Sequence, residues 1–173
     1  MCDRAIPKQT TSNPMPTIKL SIEIHSNIET CFDLARSIDF HQISTSRTNE
    51  KAISGRTSGL INLGEHVTWR ATHFGIRQKL TSKITAYKRP FHFRDEQVSG
   101  IFKFIVHDHY FEQGGGKVIM KDVFNFQSSF GFLGQAFDKL VLSKYLTKFL
   151  VERNDLIKEY AETSKWKTVI NGE

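Results

Sequence analysis

Two histidines one residue apart, His107 and His109, followed by Asp122 on the next strand, are the residues of this sequence best suited to chemistry. Residues i and i+2 of a strand share a face, so both imidazoles point the same way. One reading is acid–base work: His107 takes a proton, Asp122 orients its ring, and His109 donates to a ligand oxygen. A second is structural, with Asp122 and one histidine satisfying each other as a buried polar pair that fixes register. A third is a metal site built from both imidazoles and the carboxylate. No nucleophile accompanies the set and the sequence offers no recognisable groups to orient metal ligands, so the buried pair is the default and no metal is expected. His73 and Asp95, each close to a turn, join the cluster if their strands neighbour it. Trp69 and Phe124 add apolar surface beside it.

A hairpin positions this set. Segments 102–112 and 117–127 alternate apolar and polar residues and flank the loop Gln113-Gly114-Gly115-Gly116. Pairing Glu112 with Lys117 also pairs Asp108 with Lys121, two opposite-charge contacts in one register. The same register sets His107 across from Asp122, His109 across from Met120 and Ile105 across from Phe124. Ile105, Phe111, Val118, Met120, Phe124 and Phe126 then share the histidine face, which looks onto a core or cavity.

Upstream, Ile18, Leu20, Ile22 and Ile24 alternate with polar residues in a half-buried strand. Ser26 and Glu29 form a capping box for a helix with Ile28, Cys31, Phe32 and Ala35 on its apolar stripe. Cys31 reads there as a small core residue. A short helical piece over 39–43 precedes a Ser/Thr/Asn-rich loop. Segments 65–73 and 76–87 form a hairpin about Phe74-Gly75, with Trp69 opposite Leu80 and Val67 opposite Ser82. Arg70 opposite Lys79 and Thr72 opposite Arg77 put the basic face in water. Another strand runs over 91–98, between turns at Lys88-Arg89-Pro90 and Ser99-Gly100. A long amphipathic helix over 134–161 follows, with Phe137, Val141, Tyr145 and Phe149 on one face.

The order of strand, helix pair, antiparallel strands and long helix resembles the START-like (SRPBCC) superfamily, and within it the ligand-binding, polyketide cyclase/dehydrase-like branch. The resemblance rests on Gly64-Glu65-His66-Val67-Thr68-Trp69 through His73-Phe74-Gly75, on Phe93-Arg94-Asp95-Glu96-Gln97-Val98-Ser99-Gly100-Ile101-Phe102, and on His107-Asp108-His109-Tyr110-Phe111. These look like that branch's G-(D/E)-x-V-x-W, F-x-D-x-Q-x-x-G-x-F and H-x-H-x-F patterns, with Asp122 as the strand aspartate. Ile101 stands where proline is expected and Ile105 where an aromatic is usual. The likeness implies an α+β helix-grip fold, a curved antiparallel sheet of about seven strands around a long C-terminal helix, with two short helices after the first strand. It also implies a cavity between sheet and helix for a hydrophobic or amphipathic small molecule. Members of the superfamily bind lipids, plant hormones or polyketide intermediates, and some are cyclases.

Composition bounds the rest. The chain has 173 residues, 39% of them hydrophobic, and 14 Phe, which suits one globular domain. That domain is expected over 17–163, between a flexible N-terminal tail (1–16) and a C-terminal tail (164–173). Met15 is an alternative start. No apolar run reaches the ~20 residues of a membrane span, so no stable membrane insertion is expected. Without an apolar leader, and with only two Cys, the expected compartment is the cytoplasm. The net charge of +6 is spread along the strands, so no nucleic-acid partner is expected. Gly114-Gly115-Gly116-Lys117 lacks the spacing of a phosphate loop, and no dinucleotide, G-x-S-x-G or H-E-x-x-H fingerprint occurs, so no cofactor is expected.

The leading reading is therefore binding of a hydrophobic small molecule in a cavity lined by Trp69, His73, Asp95, His107, His109, Asp122 and Phe124. The alternative is a cyclase/dehydratase-type enzyme with His107 and Asp122 as its acid–base pair. A third makes the basic face of Arg70, Arg77, Lys79 and Lys83 a docking surface for an anionic partner. Nothing in the sequence specifies an oligomeric state.

Overall fold

The structure is a computed structural model that describes residues 16–129 and 138–170. Its strands are β1 (Thr17–Ile24), β2 (Lys51–Gly55), β3 (His66–His73), β4 (Ile76–Lys88), β5 (His92–Ser99), β6 (Phe102–Gly114) and β7 (Lys117–Ser128). They form one antiparallel sheet in the order β1-β7-β6-β5-β4-β3-β2. Helices α1 (Ile28–Arg36) and α2 (Ile38–Ser44) separate β1 from β2, and the long helix α3 (Ser143–Glu162) follows a π-type turn at Asp138–Leu142. A last short helix, α4 (Lys167–Ile170), packs with Trp166 against the core. This is the helix-grip architecture: a curved sheet gripping α3. The N-terminal end of the helix expected over 134–161 lies partly outside the described residues, as does nearly all of the tail expected over 1–16.

Hairpin β3–β4 has the expected register, with Trp69 opposite Leu80 and Arg70 opposite Lys79. Hairpin β6–β7 does not. Gly114 pairs with Lys117, so Gly115 and Gly116 alone make the turn, both at positive φ (60° and 77°). Two consecutive left-handed residues are what a two-residue hairpin turn of this twist demands, and glycine adopts them without a Cβ penalty. The four-residue loop expected from the sequence is thus halved, and the register moves by two. Asp122 faces His109, Phe124 faces His107 and Val123 faces Asp108. A shift of two keeps every side chain on its face, so the inward set stays buried. The expected Asp108–Lys121 pair gives way to a bidentate bond from Arg94 to Asp108 (2.8 and 2.9 Å), and Lys121 reaches Glu112 instead (2.7 Å).

Two other local expectations change. Asn27, rather than Ser26, caps α1 by accepting from the Thr30 N–H at 2.7 Å, while the Ser26 hydroxyl donates to the Ala161 carbonyl near the end of α3. The segment read as a polar loop contains β2, an edge strand with a bulge between Ala52 and Ser54. It lies open to solvent over most of its length, so it carries no apolar alternation to announce it. The turn after β5 explains its motif: Gln97 donates to the Phe102 carbonyl (2.7 Å) across it. A Cβ on Gly100 would come within 2.8 Å of Leu80 and 3.0 Å of the Gln97 side chain.

The core falls into two clusters. The larger centres on Phe32, fully buried and in edge contact with Tyr87, Phe93 and Phe111 at 5.4–5.5 Å, together with Phe40, Met120 and Ile157. Truncating such a phenylalanine costs about 3–5 kcal/mol. The smaller joins Ile18, Ile105, Phe126, Leu142 and Leu150. Cys31 is buried in the first, and desolvation pushes its thiol up to about 12, which leaves it unreactive.

Candidate functional site

A cavity of about 540 Å³ opens between the sheet and α3, walled chiefly by apolar side chains of β3–β7, α1, α2 and α3. Trp69, His73, Asp95, His107, His109 and Phe124 all line it. Asp122 does not reach the wall; its carboxylate is fully buried behind the two imidazoles.

The sheet builds the first polar cluster by pairing alone. On central strand β6, His107 faces Asp95 of β5 and His109 faces Asp122 of β7. Each carboxylate therefore sits beside one imidazole and diagonal to the other. His107 Nε2 and His109 Nδ1 both lie 2.9 Å from Asp122 Oδ1, the second contact at an angle too poor for a straight hydrogen bond. On the cavity side, His109 Nε2 lies 3.2 Å from Asp95 Oδ2, and His107 Nδ1 lies 3.9 Å from the same oxygen. The rings are 3.8 Å apart; Phe93 stacks on His109 and Phe124 meets His107 edge-on.

Helix α3 completes this cluster from above. Asn154 Nδ2 donates to Asp122 Oδ2 (2.5 Å), so both oxygens of the buried carboxylate are engaged. Arg153 donates from Nη2 to the Ala35 carbonyl (2.7 Å) and lines the cavity, and its Nη1 has no hydrogen-bond partner among the described residues. Burial lowers the Arg153 pKa, opposed by the nearby Asp122, Asp95 and Glu50 charges.

The ionisation pattern follows from this layout. Burial, then the neighbouring His109, lowers the His107 pKa and favours its neutral form. Burial also works against protonating His109, yet its bonds to Asp122 and Asp95 outweigh it and raise its pKa. Desolvation likewise opposes charge on both aspartates, but hydrogen bonds from the histidines win: Asp122 is held well below the ordinary carboxylate range and Asp95 is lowered.

A second carboxylate–histidine cluster lines the same cavity. Glu50, just before β2, is buried. His41 of α2 approaches its Oε2 at 2.6 Å, and His73 of β3 approaches Oε1 at 3.4 Å. His73 Nδ1 meets the Tyr145 hydroxyl of α3 at 2.8 Å, and His41 stacks on Trp69 at 4.1 Å. Desolvation raises the Glu50 pKa and the two histidines more than reverse this, bringing it to about 2. His73 thus belongs here, whereas Asp95 joins the His107–His109 pair. Sequence reasoning missed His41, Glu50, Tyr145, Arg153 and Asn154. The polar positions of α3 carried a weak signal: Arg153 and Asn154 interrupt the face running through Leu146, Leu150 and Ile157.

Neither a family model nor a curated protein matches the sequence, but many solved structures share its fold. The chain has the START-like helix-grip fold. It is similar to TTHA0849 from Thermus thermophilus (13% identity, TM-score 0.69, covering 84% of this chain and 97% of that one). Ginseng major latex-like protein 151 from Panax ginseng is 16% identical with a TM-score of 0.65, over 86% and 99% of the chains. A START superfamily protein from Mycobacterium smegmatis is 8% identical with a TM-score of 0.64, over 83% and 97%. Among the described residues no helix is long and apolar enough to cross a membrane.

Proposed function

We propose that this protein binds an amphipathic small molecule in the cavity beneath α3, with an apolar body against Trp69, Phe124 and Leu150 and an anionic or carbonyl oxygen at Arg153. The unpartnered Nη1 of a buried arginine, in a cavity of about 540 Å³ with mostly apolar walls, carries this reading. A buried guanidinium N–H without an acceptor is costly, and a ligand oxygen supplies what the fold leaves out. The volume lies in the usual range of small-molecule sites. Native mass spectrometry of the purified protein, followed by denaturing extraction, tests it directly. The expected result is a released apolar acid or ketone. An empty protein in which an apolar carboxylate series fails to displace an environment-sensitive fluorophore saturably would rule the reading out.

One observation favours catalysis as a second reading. His107 lies 2.9 Å from Asp122 through Nε2, its pKa is lowered, and its Nδ1 is on the cavity side. A neutral imidazole oriented in this way is a general base for aldol-type closure or dehydration of a poly-β-ketone held in the cavity. Product formation lost in His107→Ala with ligand affinity unchanged would support it; turnover retained in that variant would exclude it.

A further inference from the structure

We propose that Asp95, His107 and His109 form a binding site for a divalent first-row transition cation, with Asp122 as the group that orients both imidazoles. Asp95, His107 and His109 each offer one ligand atom within 4.8 Å of the others, and Asp95 Oδ2 lies 3.9 Å from His107 Nδ1 and 3.2 Å from His109 Nε2. Donors around a tetrahedral cation with bonds of about 2.0–2.2 Å stand roughly 3.3–3.6 Å apart, so both Asp95–imidazole spacings lie within about half an ångström of what a bound cation needs. These three residues all line the cavity.

The outer shell is what separates this set from an ordinary buried pair. A metal-binding imidazole needs its other nitrogen held by an acceptor, which fixes both tautomer and ring angle. Asp122 Oδ1 takes the hydrogen bond of His107 Nε2 at 2.9 Å and lies equally near His109 Nδ1, there as a charge off the line of a straight hydrogen bond, and Asn154 holds the carboxylate's other oxygen. With protons on His107 Nε2 and His109 Nδ1, the lone pairs fall on His107 Nδ1 and His109 Nε2, the two atoms nearest Asp95. Phe93 and Phe124 pack against the rings and restrict their rotation.

Two imidazoles and one carboxylate suit Zn²⁺, Fe²⁺ or Co²⁺; Ca²⁺ and Mg²⁺ call for oxygen-rich sets. Three protein donors on a cavity wall leave a fourth position for water or a ligand oxygen, the pattern of an open site. The charges are compatible: Asp95 and Asp122 supply two negative charges, and the cation replaces the proton that His109 shares with Asp95. Arg153 adds a positive charge nearby, which limits cation affinity and favours an anionic group in the open position. The Glu50 cluster has no such layout, because His73 turns one nitrogen to Glu50 and the other to the Tyr145 hydroxyl, which leaves no second free donor beside His41.

The site stands independently of the small-molecule reading, and its test uses tag-free, ligand-stripped, chelator-treated protein. Titration with Co²⁺ should give visible d–d absorption saturating at one equivalent, and Zn²⁺ should displace it. Asp95→Ala should lower Co²⁺ affinity at least tenfold, and His107→Ala with His109→Ala should abolish the band. Asp122→Asn should weaken binding by about 10–100-fold without removing it. His92→Gln, which alters a histidine–carboxylate pair on the other face of the sheet, should change nothing. Asp95 is the most exposed of the four residues (26%), so Asp95→Asn checks the result if the histidine variants do not fold. Failure of the wild type to take up Co²⁺, or uptake by Asp95→Ala and Asp95→Asn equal to that of the wild type, would overturn the proposal. Either result would leave the small-molecule assays to be judged separately.

Discussion

The cavity holds two carboxylate–histidine clusters made of similar parts in opposite order. In the first, the buried carboxylate of Asp122 lies behind His107 and His109, so the rings stand between it and the cavity. In the second, Glu50 lies between His41 and His73 and draws a nitrogen from each. A carboxylate behind two imidazoles aims their remaining nitrogens at a common point. A carboxylate between them turns them toward itself, and His73 spends its remaining nitrogen on the Tyr145 hydroxyl. The supports differ too: three adjacent central strands hold the first, while the second ties together α2, the chain before β2, strand β3 and helix α3. The first is built to present donors; the second is a clasp across the cavity wall.

The largest expected effect comes from breaking the first cluster at its base. Asp122→Ala removes the acceptor for His107 and Asn154 and the charge beside His109 at once, all of them buried. Breaking a buried charged pair by removing one partner costs about 3–5 kcal/mol, and chemical denaturation should report a loss of that size. Asp122→Asn keeps the shape and one acceptor oxygen, so its loss should be smaller.

Glu50→Gln applies the same test to the clasp, with a pH signature. Glu50 has a pKa of about 2 in the folded protein against 4.5 for an unperturbed glutamate. Its contribution is therefore fully present above about pH 4.5 and is lost as pH falls toward 2. A shift of that size corresponds to roughly 3 kcal/mol. Unfolding free energies measured from pH 2 to 7 should fall steeply below pH 4.5 in the wild type and more gently in Glu50→Gln, the two curves converging near pH 2. Parallel curves would show that Glu50 is not the clasp's charge.

Arg153 is the residue both clusters share, since Asp122, Asp95 and Glu50 all act on its charge. Arg153→Met should leave stability nearly unchanged, because it trades the bond to Ala35 for relief of a buried charge. Its effect should appear in ligand selectivity. Hydrogen bonds to charged groups contribute about 1.5–3 kcal/mol, so an apolar carboxylate should bind tenfold or more weakly while its neutral isostere is little affected. Calorimetric titration of both ligands against both proteins measures this.

The two clusters also differ in how far the sequence announces them. His107 and His109 stand at i and i+2 in a strongly alternating strand, and Asp122 occupies the matching face of the next one. Even a two-residue error in register kept all three together, because strand faces repeat every two residues. The seven-stranded helix-grip plan was legible for a related reason: long alternating strands and one amphipathic helix in this order leave few arrangements. The clasp gave no such signal. Glu50 precedes an edge strand that faces solvent, His41 lies on a helix of seven residues, and Tyr145 reads as one more aromatic on an apolar face. Their convergence depends on how the sheet curls under α3, which no local pattern encodes. Arg153 and Asn154 were hidden likewise, since on a long helix polar residues ordinarily face water.

The smallest effect sharpens the comparison most. Tyr145→Phe removes only the hydroxyl that meets His73 Nδ1 at 2.8 Å and keeps the ring against Phe74. One hydrogen bond of this kind contributes about 0.5–1.5 kcal/mol. If the second cluster is only a clasp, that modest loss of stability is the whole effect, and bound Co²⁺ at His107–His109 keeps its spectrum and affinity. If the two clusters communicate across the cavity, the loss of one hydroxyl near the start of α3 also shifts Arg153 and Asn154 about two turns further along the helix, and the Co²⁺ spectrum changes with it. Denaturation and cobalt titration of the same variant separate these outcomes, and the different strands that hold the two clusters favour the first.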